Sequence, residues 1–408
     1  MNRPLVRASA MAAVIAAAFP VAVLAADDTA ALKQQIDQLR KEVSELRALV
    51  QGQSQQTATK NEVAAVKDEA LRIAAENARA SEANSTAHLS GYGVVGYTDR
   101  RNSSKSFSTV GFSPIFHYQY KDILLFQTEL EATMEPDGST SIALEYANLN
   151  YFLNDYVSIF GGKFVTPIGY FFQNLHPAWI NKFPSKPPGF GVEGGAAPES
   201  DIGAGVRGGF PIGSVARANY AVYLGNGPRL ALNAAGDEIE AIEAEGATSS
   251  ASGRKLVGGR FAVLPIPGIE LGVSAGTSRL ALEGEGKRSY SVAGFDAAFR
   301  RGGFDWRAEY IQQRVGALQA SAAPEGGIWK TWYTQAAYRI PSTQWEPVVR
   351  FGDFRSPHPD QKLRQWGIGL NYWLAPNAVG KLAYEFNKGE PGTINDADRL
   401  LVQFGFGF

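Results

Sequence analysis

The sequence predicts an all-β fold: a transmembrane antiparallel β-barrel of about 16 strands, preceded by a short α-helical coiled coil. Three observations carry this expectation. From Ser90 onward, segments of roughly ten residues alternate apolar and polar side chains, the period of a strand with one apolar face. The breaks between segments come in two kinds, strictly in turn, as in a barrel with tight turns at one rim and long loops at the other. The last segment, 399–408, alternates Leu400, Val402, Phe404, Phe406 and Phe408 up to the final residue.

Composition narrows the alternatives. Of 408 residues, 45% are hydrophobic and 19% charged, and the mean hydropathy of -0.16 is too polar for a bundle of membrane helices. Beyond the extreme N-terminus no apolar stretch reaches the roughly 20 residues that a spanning helix needs. Lys and Arg (39) balance Asp and Glu (40), so nucleic acid is not indicated as a partner. With no Cys, the chain has neither a disulfide framework nor a lipoprotein acylation site.

The chain divides into three parts. Residues 1–26 read as a signal peptide, with Arg3 and Arg7 before an apolar stretch and small residues at Ala25 and Ala26. As an anchoring helix the segment is too short and too Ala-rich, so cleavage and export are expected. Residues 27–86 form a helical segment. Leu32, Ile36, Leu39, Val43, Leu46 and Val50 repeat in steps of four and three, the seam of a coiled coil. A Gln/Ser/Thr stretch interrupts it, and a weaker pattern continues through Val63, Val66, Ala70 and Ile73. A segment this short is marginal alone, and β-branched residues at one seam position with Leu at the other favour two strands over three. Near Ser85, Ala/Glu/Lys-rich sequence gives way to Gly, Tyr and Phe, and residues 87–408 are expected to form the barrel.

Within the barrel, Phe112, Pro114, Phe116, Tyr118 and Tyr120 oppose Ser113, His117 and Gln119, and Phe304, Trp306, Ala308 and Tyr310 oppose Asp305, Arg307 and Glu309. A soluble sandwich would alternate too, but would have no reason to sort its connections. The short breaks fall at residues 121–122, 154–155, 211–215, 265–268, 301–303, 341–344 and 375–377. Beside them cluster Tyr120, Tyr156, Phe210, Phe299, Phe304, Tyr338, Trp345, Tyr372 and Trp373, as an interfacial aromatic girdle would. The segments 92–97 and 142–153 alternate poorly, which suggests that they face a neighbouring subunit or a folded-in loop. An even strand number and a closed ring are required because an open edge in lipid leaves backbone groups unpaired.

A barrel of this size encloses an aqueous channel that something must narrow if it is to select. The third long loop, residues 167–200, carries Tyr170, Phe171, Phe172, Trp179, Phe183 and Phe190, with a Pro-rich run from Phe183 to Gly189. Aromatics and Pro-fixed backbone suit a rigid insert better than a solvent-facing loop, so a constriction folded into the pore is expected. The segment Gly162-Lys163-Phe164-Val165-Thr166-Pro167 that opens this loop resembles the phosphate-selective porin O/P-like superfamily. That resemblance implies a sixteen-stranded homotrimer whose third loop narrows the pore, and some members carry an N-terminal coiled coil. The terminal Phe408 resembles the signal that the assembly machinery of outer-membrane barrels reads. Phosphate selectivity does not carry over, since the loop offers only Lys182 and Lys186, with Glu193 and Glu199 beside them.

The implied function is a porin for small hydrophilic solutes, in contact with outer-membrane lipid and lipopolysaccharide. Pore-lining candidates are Lys163, Lys182, Lys186, Arg207, Arg217, Arg260, Arg307 and Arg350, with Glu129 and Glu131 on the third strand. Basic residues recurring through strands six to thirteen and facing Glu129 and Glu131 would set up a transverse field favouring anions or small acidic metabolites. The same charges could instead pair among themselves in a wet interior. The acidic run in residues 226–253 reads as a solvated outer loop. Gly203, Gly205 and Gly208 match a dinucleotide-binding string but no helix follows, and His88, His117, His176 and His358 lack ligand spacing, so no cofactor or metal is expected. Two rival readings are a tether, with the coiled coil reaching the cell wall, and an outer-membrane enzyme using Ser113 and His117.

Overall fold

The computed structural model describes residues 85–103, 105–191 and 194–408; the expected signal peptide and nearly all of the expected coiled coil lie outside the described residues. Sixteen strands make one closed antiparallel barrel. They are β1 (Ser85–Arg100), β2 (Lys105–Tyr120), β3 (Leu124–Met134), β4 (Thr140–Asn154), β5 (Val157–Val165), β6 (Ser200–Ile212), β7 (Ala216–Gly225) and β10 (Leu256–Leu264), followed by β11 (Ile269–Leu280), β12 (Arg288–Arg301), β13 (Phe304–Val315), β14 (Gly327–Tyr338), β15 (Trp345–Arg355), β16 (Leu363–Ala375), β17 (Ala378–Lys388) and β18 (Arg399–Gly407). Two further strands, β8 (Arg229–Leu232) and β9 (Ile239–Glu243), pair as a hairpin inside the fourth loop.

Closure rests on the C-terminal strand. β18 pairs with β1 from Tyr92↔Gly407 to Arg100↔Arg399. Leu400, Val402, Phe404, Phe406 and Phe408 face outward, while Leu401, Gln403, Gly405 and Gly407 face in. The rings of Phe406 and Phe408 lie across Gly93 and Gly91. A Cβ at those glycines would meet them at 2.6 and 2.8 Å, so the seam requires Gly there.

The connections sort as expected at one rim: all seven short turns join the strands predicted for them. Tight backbone is found where the sequence supplies it, as at Gly268 (φ 92°) and Gly302 (φ 57°). At the other rim the expectation of uniformly long loops is corrected. The first two connections, which hold Asn102 (φ 59°) and, in residues 135–139, Gly138 (φ 86°), are short. The residues go into longer strands instead, 16 in β1 and in β2 and 15 in β4.

The segments that alternate poorly have a local cause. A bulge between Gly96 and Thr98 interrupts the β1–β2 register, and another opposite Glu129 and Leu130 adds Glu145 to β4. Such an extra residue switches the face on which later side chains stand. Ile142 and Leu144 therefore point outward before the bulge, and Leu149, Tyr151 and Leu153 after it. Of the expected girdle, Tyr120, Tyr156, Phe210, Phe304, Tyr338, Trp345 and Tyr372 are exposed on the outside. Trp373 is not part of that belt: it has inward parity, with Lys182 and Arg339 each 5.4 Å from its ring.

Candidate functional site: the lumen and its third-loop insert

The third loop leaves β5 and returns to β6 through a neck in which the Thr166 amide donates to Glu199 O (3.0 Å) and Thr166 Oγ1 to Pro198 O (2.7 Å). Beyond the neck it enters the barrel. The amides of Tyr170 and Phe171 donate to the two carboxylate oxygens of inward Glu309 on β13, at 2.9 and 3.0 Å. A single helical turn, α1 (Phe171–Leu175), then carries the chain to His176. His176 Nε2 lies 3.4 Å from Glu129 Oε2 on β3, and Glu129 Oε1 accepts a 2.8 Å bond from Tyr92. β3 and β13 are eight strands apart along the ring in either direction, so the insert crosses the lumen.

The return path lies against β14–β18. Inward glycines leave room for its large side chains: Trp179 sits over Gly405 and Gly407, Phe183 over Gly367, and Pro188 over Gly352. Wall side chains satisfy the insert's backbone carbonyls. Lys381 donates to Ala178 O and Asn181 O, Asn371 to Lys182 O (3.0 Å), Gln403 to Pro184 O (3.1 Å), Arg350 to Ser185 O (2.8 Å) and Gln313 to Ala196 O (3.0 Å). A buried apolar cluster forms inside the barrel, where Phe171, Phe172 and Phe190 pack with Ile311 and Tyr333. An irregular segment can stay inside a barrel only if its backbone groups are paired and its apolar surface covered. The wall contacts and the aromatic cluster meet both needs along this path, with Asn181 Oδ1 left buried without a partner.

The candidate residues fall into distinct groups. Arg260 pairs with Asp296 through two nitrogens (2.9 and 2.5 Å) and with Glu270 (2.9 Å). Arg307 pairs with Asp305 (2.7 and 2.8 Å). Their guanidinium carbons stand 5.7 and 5.4 Å from the ring of Tyr170, whose hydroxyl accepts from Arg300 (3.2 Å). Arg350 lies 4.4 Å from the Phe183 ring and 2.9 Å from Glu385, which Arg399 also contacts. Lys182 pairs with Glu346 (2.9 Å) and Lys186 with Glu199 (3.1 Å). Glu131 stands beside Glu145, and with Glu129 they form an acidic patch on β3 and β4.

Three candidates stand apart. Arg207 donates to Asn150 (2.6 Å) over the Phe160 ring, with no ion-pair partner among the described residues. Lys163 has the opposite parity to inward Phe160 and Phe164, and its stem lies close to Gly246 of the fourth loop. Arg217 is exposed at the short-turn rim, opposite Pro211 and Leu264.

Charge is unevenly distributed even after pairing. Arg350 and Arg399 share Glu385 and keep one uncompensated cation. The excess cation of Arg300, Arg307 and Asp305 is instead offset around Tyr170 by the excess carboxylate of Arg260, Asp296 and Glu270. On β3 and β4 the patch of Glu129, Glu131 and Glu145 faces His176 and Lys186 of the insert. Burial disfavours the charged imidazole of His176, but Glu129 and the Phe172 carbonyl (2.5 Å) outweigh it and hold its pKa above the ordinary value. Burial likewise opposes the Lys186 ammonium, and Glu199 overcomes it, raising its pKa. A cavity of about 440 Å³, lined by Arg207, Arg260, Asn219, Glu270, Gln173 and Asn174, opens on the short-turn side of the insert. Another of about 370 Å³ on the loop side is lined by Arg100, Arg399, Gln403, Ser106, Pro184 and Ser185.

Sequence reasoning missed Glu145 and His176. Glu145 could have been found as the residue that breaks alternation in β4. Nothing local marks His176, whose partner is 47 residues away.

The sequence matches no protein-family profile, and no curated protein aligns with it significantly. Solved structures do resemble it. OmpF of Salmonella typhi, in complex with daunomycin, superposes with a TM-score of 0.55 at 13% identity, covering 79% of this chain and 97% of that one. An anion-selective porin from Comamonas acidovorans gives 0.54 at 13% identity over 79% and 100%. The outer-membrane channel DcaP of Acinetobacter baumannii gives 0.53 at 12% identity over 80% and 99%. The fold is that of the outer-membrane porins. At these identities the likeness extends to architecture alone, so what this porin-type barrel carries has to be argued from its own lumen.

Proposed function

We propose that this chain is an outer-membrane porin of a Gram-negative bacterium, passing small hydrophilic solutes through a pore narrowed by its third loop. In this reading the short-turn rim faces the periplasm, with the N-terminal segment there, and the longer loops face outward. The observation that carries the constriction is the insert itself, pinned to β13 through Glu309 and reaching β3 through His176. Water-filled space then lies in the two cavities and along β2–β4, where His117, Gln127, Glu131 and Glu145 are only half-buried.

The uncompensated cation of the Arg350, Arg399 and Glu385 trio, with Arg350 on β15 six strands round the ring from β3, and the acidic patch on β3 and β4 support a transverse field with a weak preference for anions or small acidic metabolites. Kinship with the phosphate-selective superfamily remains part of the proposal, without its selectivity. Association as a homotrimer within lipid is part of the same proposal, and the exposed apolar residues on the outside of the barrel, such as Phe112, Leu149, Phe295 and Trp366, fit a surface that meets lipid.

The test is reconstitution in a planar bilayer under a KCl gradient. Discrete conductance steps in threes are expected, with a reversal potential on the anion side that moves toward the cation side in Arg300→Gln/Arg399→Gln. Silence under all voltages would reject the channel in favour of the tether or enzyme readings. A reversal potential unmoved by the double substitution would reject the transverse field.

A further inference from the structure

The outer surface of the barrel carries a charge pattern that the pore does not use. Near the loop rim of β14–β17, four basic side chains stand on the outward face. They are Lys330 on β14, Arg355 on β15, Arg364 on β16 and Lys388 on β17. All four are exposed, and the side chains of Arg355 and Arg364 are 52% and 51% accessible. They face one carboxylate: Asp353 accepts from Arg355 Nε (2.8 Å) and Nη2 (3.4 Å) and from Arg364 Nε (3.0 Å), which fixes both guanidinium groups and leaves Nη1 of Arg355 and both terminal nitrogens of Arg364 to donate outward.

The register sharpens the point. Lys330 is the direct cross-strand partner of Arg355, and Lys388 is that of Arg364. Like charges placed directly opposite each other on one sheet face repel and destabilise the pair unless an anion lies between them. Two such pairs side by side, on the surface that meets lipid, are costly without a counter-charge, because cations on a lipid face become more expensive with depth. The counter-charge must also come from outside the chain, since Asp353 already serves two arginines.

Beneath the cluster, on the same face, Trp332, Phe351, Trp366 and Phe386 form an aromatic band, with Phe351 5.0 and 4.7 Å from Trp332 and Trp366. Lower on the same side, an outer groove of about 510 Å³ runs between Leu370, Leu382, Phe404, Val95 and Phe107. Fixed donors above, rings at the interface and an apolar trough below match an amphiphile with a phosphorylated head and acyl chains.

We infer that Lys330, Arg355, Arg364 and Lys388 hold the phosphorylated headgroup of an outer-leaflet glycolipid, with its acyl chains along the aromatic band and the groove. The inference rests on the outer-membrane reading above, which sets this rim at the outer leaflet. It concerns only the outer face and not conduction.

The test uses the full chain in detergent, titrated with bis-phosphorylated lipid A, with phosphatidylethanolamine and with inorganic phosphate, and read by native mass spectrometry. Lipid A adducts that survive activation are expected, with neither phosphatidylethanolamine nor phosphate retained. Lys330→Gln/Arg355→Gln/Arg364→Gln/Lys388→Gln should weaken retention by about tenfold or more, as loss of several charge-assisted bonds implies. A control with Arg217→Gln, at the opposite rim, should retain lipid A as the parent does.

Equal retention by the quadruple variant would overturn the site, as would phosphate binding as tightly as lipid A. A change of oligomeric state in that variant, with retention unaltered, would reassign the face to a contact between copies. Conductance of the same variant in a lipid-A-free bilayer separates the two readings: it should match the parent. A parent that never conducts would count against the porin reading and leave the lipid result to stand by itself.

Discussion

At the scale of single residues, Glu309 bears most on whether the insert stays in place. Its carboxylate accepts the amides of Tyr170 and Phe171, both buried. Replacing it with Ala leaves two buried N–H groups unpaired at about 1–3 kcal/mol each. Glu309→Ala should therefore release the start of the insert, giving larger and noisier single-channel currents from a barrel that still forms. Unchanged currents would show that the constriction is held elsewhere. The opposite anchor titrates. His176 has a raised pKa because Glu129 and the Phe172 carbonyl outweigh burial. A raised pKa means that protonation is linked to the anchored state. The contribution is complete below the ordinary histidine value of about 6.5 and fades as pH climbs through the higher folded value. Currents should thus be quieter at acid than at alkaline pH, and His176→Gln should abolish the difference. A difference that persists in the variant would show that His176 is not the group that titrates.

At the scale of elements, what the sequence made legible was the part governed by a period. Alternation located the strands because a β side chain has only two faces and lipid demands apolar residues on one of them. β13 and β18 read directly, residue by residue. Where a bulge switches the face, as at Glu145, the same rule misleads, because an extra residue is invisible to a period. The insert was legible as a loop too aromatic for solvent. Its seats were not, since Gly352, Gly367, Gly405 and Gly407 are far from it in sequence and only closure of the ring brings them beneath it. The arginines were legible as inward, but not that Arg260, Arg307 and Arg350 would already be engaged by carboxylates. The seam between β1 and β18 yields a prediction at this scale. Gly91→Val/Gly93→Val would thrust branched side chains into Phe408 and Phe406 and should obstruct closure. Unheated gel mobility after refolding in detergent should show the compact species depleted. A double variant that closes as well as the parent would mean that the two rings can turn aside.

At the scale of the molecule, the protein is two nested structures with different sources of stability. The barrel is held by an unbroken circle of backbone hydrogen bonds between neighbouring strands, and none of the described residues of the insert contributes to that circle. The insert is held by side chains of the wall and by its own aromatic cluster, in which Phe171 and Phe190 are almost wholly buried. If these sources are independent, the inner structure can be removed without the outer one. Replacing residues 167–198 with a short Gly/Ser link should leave the β circular-dichroism spectrum intact and raise conductance several-fold. The melting temperature should fall, because Lys381, Arg350 and Glu309 would lose the backbone groups they bind. Should the deletion refuse to fold, Phe190→Ala poses the same question more gently. Emptying that cavity costs about 3–5 kcal/mol, enough to loosen the insert while every strand pairing remains available. A Phe190→Ala barrel that melts like the parent and conducts no more than it does would show that wall and insert form a single cooperative unit, and that the passage is shaped by the whole fold.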